Sequence, residues 1–568
     1  MNARHPHVMM IIASAIGIDC ASREASLGVV GKVNEDPARL TIADKVDVLL
    51  VVDDSASMDD KRELLAKTIP DFVDRLLHPN CLDANGKSVG RVADGLCTIG
   101  TPEFRPVGDL HIGITGTSLP IPNSSSCDER VARGGRFNTI GKDYLPNARA
   151  ATSGFLSWKR GDSESQLKSD TQDIVSGMAR TDYGCGYEAP LESWYRLLVE
   201  PDPYLSVSAG GPLQYDGVDE ELLAARKAFM RPDSLLVIAS FGDEDDVSLN
   251  IGAFGGSGWR ITARPHTNYP PTATCATDPF GPACTSCWLA SQNCEAIEMN
   301  VPNTLLFEPK RYLGVNPLFP ISRYAGALTS FTVPSLARTF DPNTGNPIQA
   351  TDCVNPIFAG ELPSDASGDL CHLKAGVRSP SLVRFAVIGG IPRALIANDK
   401  ADPNSLEKGR LSTAEWLQLT GQDPEHYNYA GADPHMIPSR TARAGLAVPT
   451  SSNVADPMHG REHDLPDQLQ AACAYTLPTP LSDQYALWRC NPSYNNPLCE
   501  GGEQVRASAE PPTRLLTVAR TLGDRSIVSS ICPAANLTSP QYPEESAALG
   551  FRPLFKNIGD SMATNLAK

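Results

Sequence analysis

The feature that most constrains this chain is an apolar run that stops abruptly at a cluster of acids and hydroxyls. Residues 46–52 are apolar except for Asp47, a pattern typical of a β-strand buried on both faces of a parallel sheet. The polar loop DDSAS follows at 53–57, and residues 58–77 then carry apolar side chains at helical spacing. Open α/β sheets place their ligands where a strand, a polar loop and a helix follow one another in this order.

The loop offers oxygen donors at alternate positions, namely the carboxylate of Asp53 and the hydroxyls of Ser55 and Ser57. Such hard donors suit Mg²⁺, Mn²⁺ or Ca²⁺, although three are too few to complete a coordination shell. The same residues are compatible with a plain turn and helix N-cap, because Asp and Ser both cap helices well. An EF-hand is excluded, since Met58 stands where that loop needs glycine and Leu64 where it needs glutamate.

A second acidic edge follows another apolar strand. Residues 234–241 read SLLVIASF and lead into GDEDD at 242–246. In a parallel sheet this cluster lies at the same edge as Asp53, where four packed acids repel one another unless they are solvated or a cation is present. An exposed acidic loop is the plain alternative. Two such edges in one chain favour the metal interpretation.

The Asp-x-Ser-x-Ser loop after a buried strand resembles the metal-ion-dependent adhesion site of von Willebrand factor A (VWA) domains. The resemblance implies a divalent cation, Mg²⁺ first and Mn²⁺ or Ca²⁺ as alternatives, held by Asp53, Ser55, Ser57, a second-loop threonine and a third-loop aspartate, here Asp243. It also implies a coordination position left open for a carboxylate of a partner. The resemblance covers residues 45 to about 391 and the last helix, and several loops are similar to those of large exported A-domain proteins of myxobacteria.

The second-loop threonine of that family has no direct counterpart here. Counting back from Leu191, its expected position is Cys185, which we expect to be disulfide-bonded. Thr181 and Glu188 lie on either side, and we take Thr181 as the ligand with Glu188 as the alternative. Coordination by Glu188 would add a strong anion and weaken the pull of the cation on a partner's carboxylate.

The order of predicted elements indicates an α/β fold with a doubly wound, mainly parallel sheet and long disulfide-stapled insertions. Further strands are predicted at 110–115, 382–391 and 526–532, and helices at 163–178, 190–198, 218–230, 318–331, 514–522 and from 553 onward. We expect a signal or lipoprotein signal segment at 1–22, a spacer at 23–44, a VWA-like domain at 45–391 with an insertion at about 248–309, an irregular cysteine-containing insertion at 392–512, and C-terminal helices at 513–568 that pack back on the VWA-like domain.

Composition indicates an extracytoplasmic protein. Fifteen cysteines, spread from Cys20 to Cys532, suggest disulfides and an oxidising compartment. An apolar run at 8–18 has the length of a signal-peptide core and is too short to span a bilayer. Cys20 is a candidate lipid anchor, and cleavage near Ser22 is the plainer alternative. The net charge of −17 argues against nucleic acid and anionic membranes as partners, and no other segment approaches transmembrane length.

Two motifs offer zinc sites. The cysteines at 275, 284, 287 and 294 have a zinc-like spacing, but disulfides are their expected use in an exported chain. The segment 459–463 fits the H-x-x-E-H of inverted zinc metallopeptidases, in which His459 and His463 hold zinc and Glu462 is the base. Flanking prolines and Gly460 disfavour the helix that this chemistry needs.

The sequence therefore predicts a non-catalytic exported protein whose cation recruits a carboxylate of a protein or glycan partner. The predicted metal ligands are Asp53, Ser55, Ser57, Thr181 and Asp243. The alternatives are an exported zinc metallohydrolase using the 459–463 motif and a structural envelope protein whose loop binds no metal.

Overall fold

The computed structural model describes residues 39–124, 127, 134–178, 185–209, 213–262, 271–287, 306–338, 351–402, 405–446, 462–463, 465, 468–482, 489–491, 493, 496–535 and 546–566. Four predicted features lie outside these residues: the signal segment with Cys20, the candidate ligand Thr181, Cys294 of the zinc-like cysteine set, and His459 of the zinc motif.

A six-stranded sheet lies at the centre, and five of its strands follow the predicted apolar runs. They are β1 (Lys45–Val52), β2 (Asp109–Thr115), β3 (Leu156–Lys159), β4 (Leu235–Phe241), β5 (Val383–Gly389) and β6 (Ser526–Ser530). The order is β6-β5-β4-β1-β2-β3, parallel throughout except for the antiparallel edge strand β3. The predicted α/β class with a mainly parallel sheet is confirmed, and the sheet is compatible with a Rossmann-like fold.

The strand order reverses direction at β1. The chain runs outward from β1 through β2 to β3, then returns to place β4 on the other side of β1. Such a reversal opens a crevice at the carboxyl ends of the two strands on either side of it. Val52 of β1 pairs with Phe241 of β4, so the two strands end level with each other.

Helices cover both faces of the sheet. The longer helices of the described chain are α1 (Asp59–Leu77), α2 (Glu164–Ser176), α3 (Pro190–Leu198), α4 (Glu220–Phe229), α5 (Ile321–Ala327), α6 (Thr413–Thr420), α7 (Thr513–Leu522) and α8 (Arg552–Met562). Side chains of α1, α2 and α8 share one apolar cluster with alternate strand residues. Side chains of α3, α4, α5 and α7 share a second apolar cluster with the strand residues that point to the opposite face of the sheet. The sheet is therefore buried on both faces, which explains its near-continuous apolar strands.

The segment 513–568 contributes a strand as well as helices. Strand β6 completes the sheet beside β5, and α8 packs on α1, where the rings of Phe72 and Phe555 stack 5.1 Å apart. The guanidinium of Arg75 lies 2.6 Å from the carboxylate of Asp560. The last helix thus covers the helix that follows the candidate metal loop.

The segment 392–512, predicted to be irregular, contains α6 and a small antiparallel sheet. Its strands are Cys473–Leu481, Cys499–Glu500 and Glu503–Ala509. Two prolines in the first of these strands interrupt its alternation, which is why the pattern escaped detection. The described chain also contains three other small sheets. One joins Asn80–Leu82, Ser88–Arg91 and Thr101–Pro102. The second joins Ser206–Ser208 and Gln214–Asp216, and the third joins Thr332–Pro334 and Asp352–Val354.

The cysteines of the described residues form disulfides, as predicted. The described pairs are Cys81–Cys97, Cys127–Cys185, Cys275–Cys284, Cys353–Cys371, Cys473–Cys532 and Cys490–Cys499. Cys287 is also disulfide-bonded, so three of the four cysteines with zinc-like spacing are committed to disulfides. Within the described ranges, no helix is both long and apolar enough to cross a membrane.

Asp47, the one break in the first apolar run, has a structural explanation. Its side chain is fully buried, and it accepts hydrogen bonds from the backbone amide of Arg231 at 2.9 Å, from the Arg231 guanidinium at 2.6–2.8 Å, and from the Ser234 hydroxyl. The buried guanidinium of Arg378 lies 3.8 Å away. The carboxylate therefore ties β1 to the turn that precedes β4.

Candidate metal centre

The loop after β1 turns at once and brings its two serines together. The amide of Asp53 donates to the carbonyl of Phe241 at 2.9 Å, which extends the contact of β1 with β4 by one residue. Oδ1 of Asp53 accepts from the Ser55 amide at 2.8 Å in a local Asx turn. A 3₁₀ turn at Ala56–Met58 leads into α1, and the hydroxyl oxygens of Ser55 and Ser57 lie 2.9 Å apart.

Ser57 joins this loop to the end of β4. Its hydroxyl donates to Oδ1 of Asp243 at 2.9 Å. The structure thus brings together four of the five predicted ligands as one hydrogen-bonded series at the β1/β4 edge. The two carboxylates are 1% and 2% exposed, whereas Ser55 and Ser57 keep 7% and 8%. All four residues of the set are therefore buried, and the two serines are slightly more exposed than the two acids.

The two carboxylates destabilise each other's charge. Burial, followed by repulsion from Asp243, raises the pKa of Asp53 to about 8. A cation between the two groups would reverse this effect, because it favours the ionised form. The edge is therefore electrostatically suited to bind a positive ion.

One cation of the chain itself already lies at this edge. The ammonium of Lys61 is 3.0 Å from Oδ2 of Asp243 and 3.2 Å from Oδ1 of Asp60, and it donates to the carbonyl of Ser57 at 3.1 Å. Burial lowers the pKa of Lys61, but the two carboxylates outweigh it and hold the pKa above its ordinary value. The spacing of four residues between Ser57 and Lys61 is the sequence signal that could have identified this contact.

The neighbouring Asp54 has a structural role. Its Oδ1 accepts from the Ser118 hydroxyl at 2.6 Å and from the Thr117 hydroxyl at 3.2 Å, in the loop after β2. Its Oδ2 is buried with no hydrogen-bond partner among the described residues. Arg62 holds the loop from the other side by donating to the carbonyls of Asp53 and Ser55 at 3.1 and 2.6 Å. These contacts fix the loop backbone independently of a metal.

The second loop supplies a disulfide and a buried acid. Cys185, where the resemblance places a threonine, is disulfide-bonded as predicted, and its partner is Cys127. Glu188 is 3% exposed, and its Oε2 has no hydrogen-bond partner in the described part of the chain. Burial, then the carboxylates of Glu244 and Asp53, raise the pKa of Glu188 well above its ordinary value. Glu188 is therefore close enough to affect the candidate site electrostatically.

The acids after Asp243 have a partner that sequence reasoning missed. The backbone amide of Arg514, in the first turn of α7, donates to both carboxylate oxygens of Asp245 at 2.9 and 3.1 Å. Its side-chain Nε donates to Asp246 at 3.0 Å, and Asp246 also caps α3 by accepting from the Leu191 amide at 3.0 Å. Part of the predicted repulsion is thus relieved by α7, and Asp243 contacts the hydroxyl of Ser57.

The donor set fits a hard divalent cation. It offers two carboxylates and two hydroxyls, the oxygen ligands that Mg²⁺ and Mn²⁺ take while keeping several waters. Among the described residues, no group of three or more His, Cys, Asp or Glu side chains is arranged to hold a metal. A cation at this edge would therefore depend on the serine hydroxyls and on water to complete its shell.

The competing 459–463 motif has its described residues engaged in other contacts. Glu462 is 1% exposed and accepts from the Arg443 guanidinium at 2.6 and 3.0 Å and from the Arg443 amide at 2.7 Å. Nε2 of His463 bonds to the carbonyl of Leu469 at 3.0 Å. These contacts give Glu462 and His463 structural roles in anchoring the chain before the small sheet.

His463 provides a pH test of that structural role. Burial lowers its pKa to about 4, from an ordinary value of 6.5. Between pH 6.5 and pH 4 the unfolded chain therefore binds more protons than the folded chain. The contribution of His463 to the free energy of unfolding is complete above pH 6.5 and is lost as the pH falls toward 4. The loss amounts to up to about 3 kcal/mol. The variant His463→Gln should lose less stability than the wild type between pH 7 and 4.5 in urea titrations. Parallel pH profiles would contradict a buried neutral imidazole.

Sequence reasoning found the two strand ends but missed the cations beside them, Lys61 and Arg514.

Comparisons with protein-family models, with curated proteins and with solved structures returned no match to this chain.

Proposed function

We propose that this chain is a non-catalytic, extracytoplasmic binding protein of the VWA type, in which a divalent cation recruits a carboxylate of a protein or glycan partner. The observation that carries the proposal is the hydrogen-bonded series of Asp53, Ser55, Ser57 and Asp243 where the strand order reverses. Mg²⁺ is the expected ion, with Mn²⁺ or Ca²⁺ as alternatives.

Three features support this assignment. The donors are hard oxygens, the two carboxylates carry a repulsion that a cation would relieve, and the set lies where the strand order reverses. The disulfides fit an oxidising compartment outside the cytoplasm. Thr181, or Glu188 in its place, would supply the donor from the second loop.

Replacement of Asp53 by alanine is the direct test. A ligand at one hundred times its Kd stabilises a protein by about 2.7 kcal/mol, so saturating Mn²⁺ should raise the melting temperature of the wild type relative to EDTA. Asp53→Ala removes a carboxylate of the donor set and should abolish this response. The measurement is a thermal melt of the oxidised protein with Mn²⁺, Mg²⁺ or EDTA.

The matched control is Asp44→Ala, which removes an exposed acid just before the same strand. It should keep the full wild-type response to Mn²⁺. A wild-type protein that melts identically with Mn²⁺ and EDTA would overturn the proposal and favour a structural protein. With Mn²⁺ bound, retention on immobilised polygalacturonate, an acidic glycan, should require both the ion and Asp53.

A further inference from the structure

We propose that Lys61 is a built-in competitor for the divalent cation, whose ammonium pairs with Asp243 in the metal-free protein and must move toward Asp60 when a metal binds. This inference rests on the proposed function and adds to it a determinant of metal affinity within the chain.

The competition follows from the contacts of Asp243. One carboxylate oxygen accepts from the Ser57 hydroxyl at 2.9 Å, and the other lies 3.0 Å from the Lys61 ammonium. Lys61 is 1% exposed, so its charge cannot be screened by water. A dication held by Asp243 and Ser57 would lie within a few ångströms of a desolvated ammonium, and the two positive charges would repel strongly.

The structure also contains the alternative position for the ammonium. Oδ1 of Asp60 lies 3.2 Å from Nζ of Lys61, and its other oxygen accepts from the buried Tyr475 hydroxyl at 2.8 Å. The Tyr475 contact holds the Asp60 carboxylate in place. Lys61 can therefore release Asp243 without leaving its own charge unpaired, which a buried ammonium could not tolerate.

A purely structural Lys61 predicts a different outcome. If its only role were to hold the loop backbone through the carbonyl of Ser57, its removal would lower stability and leave the intrinsic affinity for metal unchanged or weaker. Competition predicts the opposite for affinity, because the metal no longer has to displace a resident charge. A measurement of metal affinity therefore distinguishes a structural role of Lys61 from competition with the cation, whereas a measurement of stability alone does not.

The test is a calorimetric titration of Mn²⁺ into the full oxidised chain. Lys61→Met removes the charge and keeps an unbranched apolar stem, and it should lower the Kd for Mn²⁺ at least tenfold relative to the wild type. The matched control is Lys67→Met, which removes an exposed ammonium on the same helix that pairs with Glu63. Its Kd should stay within twofold of the wild-type value.

A second variant keeps the inference testable if Lys61→Met does not fold. Asp60→Asn removes the alternative partner and confines the ammonium to Asp243, so the Kd for Mn²⁺ should rise severalfold. A wild type that binds Mn²⁺ while Lys61→Met and Asp60→Asn leave its Kd unchanged would overturn the inference alone. Failure of Mn²⁺ to bind both the wild type and Lys61→Met would overturn the proposed function as well.

Discussion

Replacing Asp47 by alanine is expected to destabilise the fold by about 3–5 kcal/mol, since removing one partner of a buried ion pair leaves the other uncompensated. The half-buried guanidinium of Arg231 would keep its contact with Asp109 but lose its fully buried acceptor, and the Ser234 hydroxyl would lose its contact at the start of β4. The nearby Arg378 is itself fully buried, and burial lowers its pKa to about 10. Loss of the carboxylate would therefore affect one half-buried and one fully buried cation.

Denaturation by urea of the oxidised protein measures this effect. The control Asp44→Ala removes an exposed carboxylate three residues earlier and should change the free energy of unfolding by no more than about 0.5 kcal/mol. The variant Asp47→Asn keeps the shape but loses the charge, and it should fall between the two. A loss below about 1 kcal/mol for Asp47→Ala would show that the buried network contributes little.

Removal of the Cys473–Cys532 disulfide is expected to cost about 4 kcal/mol. The two cysteines are 59 residues apart, and the entropy of closing so long a loop in the unfolded chain sets this magnitude. This bond joins the first strand of the small sheet to the residues directly after β6. The variant Cys473→Ala/Cys532→Ala therefore frees the small sheet from the end of the central sheet.

The matched control is Cys490→Ala/Cys499→Ala in the same small sheet. These cysteines are 9 residues apart, and the same relation gives a cost of about 2.6 kcal/mol. Both double variants are compared with the wild type by chemical denaturation under oxidising conditions. If the two double variants lost the same free energy of unfolding, an effect that depends on loop length would be contradicted.

The central sheet could be predicted because its strands are buried on both faces and therefore appear as apolar runs. Helix α3 was predicted with its observed bounds, since Pro190 marks its first turn. Strand β3 escaped detection because only Leu156 and Trp158 of its four residues are buried. The strand Cys473–Leu481 escaped because its prolines hide the alternation.

The part of the candidate site that could be predicted consists of residues that directly follow parallel strands, because parallel strands end at the same edge of the sheet. Asp53 and Asp243 each follow a parallel strand, so their proximity follows from the pairing of β1 with β4. The contact of Arg514 with Asp246 joins residues 268 apart, and no local pattern indicates it. The contact of Lys61 could be predicted only in part, because its helical spacing from Ser57 is visible in the sequence but its burial is not.

The packing of α8 on α1 has a consequence for how the chain is made. A ribosome delivers Phe72 long before it delivers Phe555, the ring on which Phe72 stacks. Until then the first helix of the nascent polypeptide presents an apolar stripe to its surroundings, and chaperones have a binding site there. We therefore expect translation products that stop before Arg552 to be more susceptible to proteolysis than the full chain.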